Sequence, residues 1–197
     1  MNPIRSPLFL SVLILFTGCM NTVKTDLGPL LTDHTLGSKD AKITIEVYSD
    51  YQCPGCAYFE QNVFPLIRSH LIDTGKVKYI YHDFPIHRDV WLAAESTYCA
   101  GDQQKYWEMG SLLFQHIENQ TPSALKEYAK QLNLNEDTFL TCLNGRKYKA
   151  YVEQLYQQGV EKGITATPSI FINGNLIKSD TVPSYDDIQN MIDSLNL

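Results

Sequence analysis

The most constraining feature of the sequence is a pair of cysteines, Cys53 and Cys56, that lies between a predicted strand and a predicted helix. Residues 42–48 alternate and are rich in β-branched side chains, which is typical of a strand. Apolar side chains then recur at three- and four-residue steps over 57–71, which predicts a helix. At a helix N-terminus the dipole and the unpaired N–H groups favour a thiolate. We therefore predict that Cys53 is a nucleophile and that Cys56, nearly one turn further and more buried, is its resolving partner.

The dipeptide between the cysteines is compatible with this chemistry. Pro54 suits the first helical turn, and Gly55 places no side chain over the sulfur atoms. The same cysteine spacing also serves metal sites, which need two further ligands at a recognisable spacing. Cys99 and Cys142 stand alone and the five histidines form no pair, so the sequence predicts no metal site. A purely structural disulfide is a further alternative, which the exposed, electropositive end of a helix disfavours.

Length and composition exclude several classes of protein. The chain has 197 residues, 44% hydrophobic and 19% charged, which suits one globular domain or one domain with an insertion. Its formal net charge is −6 and it contains no basic run, so we expect no nucleic-acid partner. It contains no phosphate-binding loop and no serine–histidine–acid arrangement, and we expect no cofactor.

Residues 1–18 are predicted to be an export signal. Arg5 is their only charge, and the apolar run 8–16 is too short to cross a membrane comfortably. The segment ends in Phe16-Thr-Gly-Cys19, which resembles a bacterial lipoprotein cleavage site although Phe16 stands where leucine is usual. We expect lipidation of Cys19, with ordinary signal cleavage nearby or an uncleaved anchor as alternatives. Residues 19–36 would then be a polar tether on a membrane-anchored lipoprotein of the periplasm or cell envelope.

The remaining pattern predicts strand, helix, strand, several helices, two strands and a helix. Pro65 lies inside the first helix and is expected to kink it. Thr121 and Asn135 are predicted helix N-caps, and Asn173-Gly174 is a strong hairpin signal. The other predicted elements are a strand at 77–81, helices between 86 and 147, a longer helix at about 147–162, strands at 169–173 and 175–178, and a helix at 185–195.

Pro168, just before the returning strand, is the second candidate feature of a site. If the bond between Thr167 and Pro168 is cis, the preceding carbonyl and N–H are free to pair with an extended peptide. The alternative is an ordinary trans proline at the start of an edge strand.

Four segments together resemble the DsbA-like thiol–disulfide oxidoreductases of bacteria. The resemblance covers about residues 36–197 in the expected order. It implies an α/β fold, a thioredoxin fold interrupted by an α-helical insertion domain, with 37–85 and 148–197 forming the thioredoxin-like part and 86–147 the insertion. The segments are Tyr48-Ser-Asp-Tyr-Gln-Cys-Pro-Gly-Cys56, Tyr81-His-Asp-Phe-Pro85, Ala93–Ala100 with Lys105–Met109, and Gly163–Gly174.

The resemblance also implies roles for single residues. Cys53 would be the nucleophile, Cys56 its partner, Pro168 the cis-proline that faces them, and Thr167 the residue that presents its backbone to the substrate. Relatives commonly place a buried glutamate six residues before the first cysteine, where it helps to move a proton. Here that position is Val47, and the neighbouring Glu46 is turned to the opposite face of the strand.

The function implied by the resemblance is the introduction of disulfide bonds into reduced exported proteins through a mixed-disulfide intermediate. A DsbB-like membrane protein would reoxidise the site. The same residues could instead support a reductase, or an isomerase if the chain dimerises. A protein of another class, a lipoprotein that carries Cu(I) on Cys53 and Cys56, and a redox-inert adaptor are the remaining alternatives.

The other cysteines and two histidines receive structural interpretations. Cys99 and Cys142 lie in predicted helices 43 positions apart. Export and an even number of cysteines favour a structural disulfide between them over two buried free thiols. His82 and His87 flank Phe84-Pro85 and are interpreted as solvated loop residues rather than proton donors.

Overall fold

The structure is a computed structural model that describes residues 34–195. The predicted signal, Cys19 and most of the predicted tether lie outside the described residues. A five-stranded sheet has the strand order β1-β3-β2-β4-β5. The central strands β2 and β3 run parallel, whereas β1, β4 and β5 each pair antiparallel with a neighbour. The strands are β1 Thr35–Gly37, β2 Ile43–Ser49, β3 Val77–Asp83, β4 Ser169–Ile172 and β5 Asn175–Leu176.

Alternation along the central strands creates two different faces of the sheet. Ile45 and Val47 of β2 are buried in the main core together with both Cys53 and Cys56. Tyr48, one position out of phase, packs in a smaller cluster on the other face. Side chains two apart in a strand share a face, so odd-numbered positions of β2 and β3 point towards the motif.

The helix that follows the motif, α1, is continuous from Pro54 to Ile72 but changes its winding. Proline lacks an N–H and its ring collides with the carbonyl four residues earlier. The helix accommodates Pro65 by widening into π-helical turns before and after the segment that contains it. The segments are α-helical Pro54–Tyr58, π-helical Phe59–Val63, α-helical Phe64–Ile67 and π-helical Arg68–Ile72.

Five helices lie between β3 and β4. Two of their predicted caps are confirmed: Thr121 accepts from the Ala124 N–H at 3.3 Å, and Asn135 accepts from the Thr138 N–H at 2.9 Å. The helices between the two halves of the sheet confirm the predicted α/β fold with a helical insertion. The helices are α2 Trp91–Gly101, α3 Tyr106–Gln115, α4 Pro122–Gln131 and α5 Glu136–Asn144, followed by α6 Lys149–Glu161 and α7 Tyr185–Ser194.

Strand β1 is a feature that the sequence did not predict. It pairs with β3 in the register Thr35 with Ile80 and Leu36 with Tyr79. The predicted tether ended at residue 36, so its last two residues belong to the sheet. A three-residue strand is too short to show alternation, and only its neighbour β3 defines it. Between residues 34 and 195 no helix is long and apolar enough to cross a membrane.

Candidate active site

The two cysteines of the motif lie at the junction of β2 and α1. The Cys53 N–H donates to the Asp50 carbonyl at 3.1 Å, which closes the turn after β2. Cys53 is the N-cap of α1, with extended backbone angles of φ −80° and ψ 120°. Both cysteines are free thiols in the structure. Cys53 is 8% exposed and Cys56 is 1% exposed, so an incoming sulfur atom meets Cys53 first.

Thr167 and Pro168 lie directly across from Cys53. The Sγ atom of Cys53 donates to the Thr167 carbonyl oxygen at 3.3 Å. The peptide bond between Thr167 and Pro168 is cis, and β4 begins at the next residue, Ser169. The tertiary structure thus brings together the two site features that the sequence predicts separately.

Gly55 allows this segment to approach the motif closely. A Cβ atom at Gly55 would lie 3.2 Å from Cγ2 of Val182 and 3.3 Å from Cδ of Pro168. Both distances are tighter than an ordinary van der Waals contact. Val182, in the loop before α7, therefore belongs to the wall of the site, and no signal in the sequence identified it.

Hydrogen-bond donors around the Cys53 sulfur lower the pKa of its thiol from 9.0 to about 5. The largest effect comes from the Cys56 thiol, which donates to Cys53; burial opposes it. The Thr167 side chain and the backbone N–H groups of Cys56 and Gly55 add to the lowering. A thiol with such a pKa is a thiolate at neutral pH, and the thiolate is the nucleophilic form.

The second cysteine behaves in the opposite way. Burial raises the pKa of the Cys56 thiol, and its hydrogen bond and proximity to Cys53 raise it further. The Ser49 side chain and the Asp50 backbone oppose this rise. In the dithiol form the negative charge therefore lies on Cys53 and the proton on Cys56.

A family model described as thioredoxin matches residues 30–194. The chain belongs to the thioredoxin family. It is 32% identical over 145 residues to the Na(+)/H(+) antiporter NhaA 3 of Salinispora tropica, which covers 72% of this chain and 22% of the antiporter. The chain thus spans about a fifth of the length of that curated relative.

Two further relatives resemble the chain over most of their length. Disulfide bond formation protein D of Bacillus subtilis is 30% identical over 168 residues, 80% of this chain and 74% of that protein. The crystal structure of Wolbachia pipientis alpha-DsbA1 is similar with a TM-score of 0.72 and 30% identity, covering 86% of this chain and 93% of that one. These similarities confirm the predicted resemblance to the DsbA-like proteins of the thioredoxin family.

In this member of the thioredoxin family Asp50 organises the loop beside the motif, a role that the sequence did not reveal. Its buried carboxylate accepts from the Gln52 N–H at 2.7 Å, the Ile86 N–H at 2.7 Å and the His87 N–H at 3.0 Å. Nδ1 of His87 lies 3.0 Å from the same carboxylate. Asp50 therefore fastens the loop after β3 to the turn that carries Cys53.

The helical insertion contains the second cysteine pair. Cys99 of α2 and Cys142 of α5 form a disulfide, with their Cα atoms 5.8 Å apart. Both cysteines are buried and connect two helices that also pack against each other.

Glu46 and His82 lie away from the cysteines. Lys162 donates to the Glu46 carboxylate at 2.8 Å, and Nε2 of His82 lies 3.4 Å from it. His82 stacks on Tyr48 at 4.3 Å, on the sheet face opposite the motif. The interpretation of His82 as a solvated loop residue is wrong, because it lies in β3 with a side chain only 19% exposed. His87 is a loop residue, and its side chain is 45% exposed.

The described part of the chain contains no cluster of three or more His, Cys, Asp or Glu side chains that could hold a metal ion.

Proposed function

We propose that the protein is an exported enzyme that introduces disulfide bonds into secreted or envelope proteins by exchange at Cys53 and Cys56. The observation that carries the proposal is the position of Cys53 at the N-terminus of α1 beside the buried Cys56. In this position the pKa of the Cys53 thiol is lowered to about 5, and that of the Cys56 thiol is raised. Such a pair has one sulfur that is an excellent leaving group and one that stays protonated.

The exchange has two steps. A substrate thiolate attacks Sγ of Cys53 in the Cys53–Cys56 disulfide; Cys56 leaves and takes up a proton, and a mixed disulfide forms. A second substrate thiolate then attacks the substrate sulfur of the mixed disulfide, and Cys53 leaves as a thiolate. The substrate loses two electrons and gains a disulfide, and the enzyme ends as the dithiol.

The direction of exchange follows from the stability of the thiolate. Lowering the pKa of Cys53 stabilises the dithiol form relative to the disulfide, which makes the disulfide a stronger oxidant. The donor groups of Cys56, Thr167 and Gly55 beside the Cys53 sulfur lower its pKa and so stabilise the thiolate. These contacts support donation of the disulfide over reduction of substrates.

Thr167 and Pro168 form the proposed binding edge for the substrate. The Thr167 carbonyl oxygen already lies 3.3 Å from the Cys53 sulfur, so a peptide cysteine at this sulfur also lies beside the Thr167 backbone. Pro54 is exposed next to the sulfur, and Gly55 keeps the space above α1 free for Pro168.

The cellular setting is part of the proposal and is supported by the sequence pattern. Residues 1–18 direct export, Cys19 carries the lipid, and the segment that follows it tethers the protein to the membrane of the periplasm or envelope. The substrates are reduced or partly folded exported proteins. A DsbB-like membrane protein reoxidises the dithiol.

The reduction potential measured against glutathione tests the proposal. A reduction potential of about −120 mV is expected for a donor of disulfides, whereas a potential of about −270 mV would indicate a reductase instead. Oxidative refolding of a reduced, disulfide-containing protein provides the second assay. Tight stoichiometric Cu(I) binding without thiol turnover would contradict the proposal and favour a metal carrier.

A further inference from the structure

The buried cysteine has to exchange a proton during every cycle. Cys56 leaves as a thiolate when substrate attacks Cys53, and it must lose its proton again before it can re-form the disulfide. It is 1% exposed, so bulk water does not reach its sulfur directly. Position 47, where relatives commonly have a glutamate, is a valine, and Glu46 lies on the other sheet face.

A small, partly open cavity lies between the sheet, α1 and α3. About 10 Å³ of it is open to the centre of a water molecule, which is room for one water. Its walls include polar groups that such a water can bond. The lining residues are Tyr51, Glu60, Tyr81, Tyr106, Trp107, Gly110 and Phe114.

Glu60 connects this cavity to solvent. It lies one turn after Cys56, in the first π-helical turn of α1, and is partly buried. On its other side it lines an open surface groove of about 620 Å³, together with Arg68 and Glu108. One carboxylate therefore borders both the interior and the surface.

Ser49 and Tyr81 are buried on the sheet face that packs on Cys56, and the β-strand partner of Tyr81 is Val47, two residues before Ser49. Burial raises the pKa of the Cys56 thiol and of the Tyr81 hydroxyl, and the Ser49 side chain opposes the rise in each. The Tyr81 hydroxyl is buried and makes no hydrogen bond of normal geometry within residues 34–195. A water in the cavity would supply the missing partner of the Tyr81 hydroxyl and could also bond Glu60, since both residues line the same space.

We infer that Glu60 exchanges the proton of Cys56 with solvent, through the Ser49 and Tyr81 hydroxyls and one water in the cavity. The inference rests on the proposed function, because it concerns a step of that exchange. When Cys56 becomes a nucleophile, its proton enters the chain of hydroxyls and one proton arrives on the Glu60 carboxylate, which releases it into the groove. When Cys56 leaves, the same transfers run backwards. Glu60 thus acts on Cys56 through the two hydroxyls and the water, and it does not touch the substrate.

The surroundings of Glu60 suit a group that changes protonation near neutral pH. Burial raises its pKa to about 7, and Arg68 opposes the rise. Arg68 belongs to α1. The other titratable groups that face it are Glu108 across the groove, Tyr79 and Tyr81 from β3, Tyr51 before α1 and Tyr106 of α3.

Asp83 is the rival acceptor on the same face of the sheet. Its carboxylate is buried, and burial raises its pKa to about 6, which hydrogen bonds from Tyr98 and Tyr106 oppose. The Tyr98 and Tyr106 hydroxyls donate to one oxygen at 2.5 and 2.9 Å. Asp83 is only 1% exposed and lines neither the groove nor the cavity, so a proton placed there does not reach solvent directly. Glu60 is favoured because it borders the surface.

Two successive rates test the inference on the full chain. The reduced protein is mixed with excess oxidised glutathione, quenched with acid and analysed by mass spectrometry between about pH 5 and 9. First, the Cys53 thiolate forms a mixed disulfide with glutathione; second, Cys56 displaces the glutathione. We expect Glu60→Gln to slow only the second step, on the order of 10- to 100-fold at pH 7, and to remove its inflection near pH 7. Glu60→Asp should retain the inflection.

The controls separate this role from a structural one. Glu108→Gln removes a carboxylate of the same groove that does not line the cavity, and both rates should stay unchanged. A Glu60→Gln variant with a second step like the wild type, or with both steps slowed equally, overturns the inference. So does loss of the inflection in Asp83→Asn but not in Glu60→Gln. If the wild type forms no mixed disulfide at all, the proposed function itself fails.

Blocking the cavity provides a test that leaves every charge in place. A Cβ at Gly110 would lie 3.4 Å from the Tyr51 hydroxyl, which is an ordinary contact, and alanine favours the helix. Gly110→Ala should therefore fold and exclude water from the cavity. We expect it to slow the second step with an unchanged first step. An unchanged second step overturns the inference, whether or not Glu60→Gln folds.

Discussion

The sulfur of Cys53 and the carbonyl oxygen of Thr167 lie 3.3 Å apart although 114 positions separate the two residues. The contact joins the end of α1 that carries the nucleophile to the segment that precedes β4. In the thiol form Cys53 donates to this oxygen, and in the thiolate form the Thr167 side chain helps to hold the pKa low, after the larger effect of Cys56. The reactive sulfur is therefore controlled from two distant parts of the chain.

Substitution of the two cysteines should give different phenotypes. Cys53→Ser should abolish exchange, because it removes the nucleophile. Cys56→Ser should accumulate covalent complexes with substrates, because the resolving thiol is missing. Non-reducing electrophoresis of the reduced variants mixed with a disulfide-containing protein measures both outcomes, because the Cys53 thiolate attacks the substrate disulfide and releases one substrate thiol. Full activity in both variants would show that the catalytic assignment is wrong.

The pH dependence of alkylation should reveal the low pKa of Cys53. Only the thiolate reacts, so the rate with iodoacetamide should rise as the pH increases through about 5 and then stay constant to neutral pH. The Cys56→Ala variant should shift the inflection upwards, because the Cys56 thiol is the largest contribution to the low pKa. An inflection close to that of an ordinary cysteine in the wild type would contradict the site described here.

Enlarging Gly55 should strain the wall of the site. A valine side chain there would press on Pro168 and Val182, and overpacking of this kind costs about 1–3 kcal/mol. Urea denaturation should show that Gly55→Val destabilises the wild type more than it destabilises a Val182→Ala background. Equal effects in both backgrounds would mean that Val182 does not limit the space above Gly55.

Removing the Asp50 carboxylate should loosen the loop after β3. Asp50→Ala leaves the N–H groups of Gln52, Ile86 and His87 without their acceptor, and we expect a loss of about 3 kcal/mol in the free energy of unfolding. Hydrogen exchange should rise in the loop after β3. Asp73→Ala is the matched control, since its carboxylate is 61% exposed and should be nearly neutral.

Loss of the second disulfide should reduce stability without stopping exchange. Cys99 and Cys142 close a loop with a sequence separation of 43, which corresponds to roughly 3–4 kcal/mol in the chain-entropy model. The double variant Cys99→Ala, Cys142→Ala should melt at a lower temperature and keep its rate of exchange per folded molecule. A loss of exchange in the folded variant would assign the pair a part in the chemistry.

Local features of the sequence predicted the reactive centre. A strand pattern, two cysteines three positions apart and a helix pattern with Pro54 at its start identify an ionisable thiol, because periodicity and helix polarity act over one or two turns. The caps at Thr121 and Asn135 were predicted for the same reason. The phase of β2 also predicted that Glu46 faces away from the cysteines.

Only the tertiary structure decided which distant groups surround the sulfur atoms. The opposition of Thr167 to Cys53, the contact of Val182 with Gly55 and the position of Glu60 between a groove and a cavity depend on how separate elements pack. Residue patterns record local preferences, whereas a pKa depends on burial and on neighbours brought together by folding. The sequence by itself determined that a cysteine nucleophile exists here. Packing decided the pKa of the Cys53 thiol and which groups can exchange the proton of Cys56.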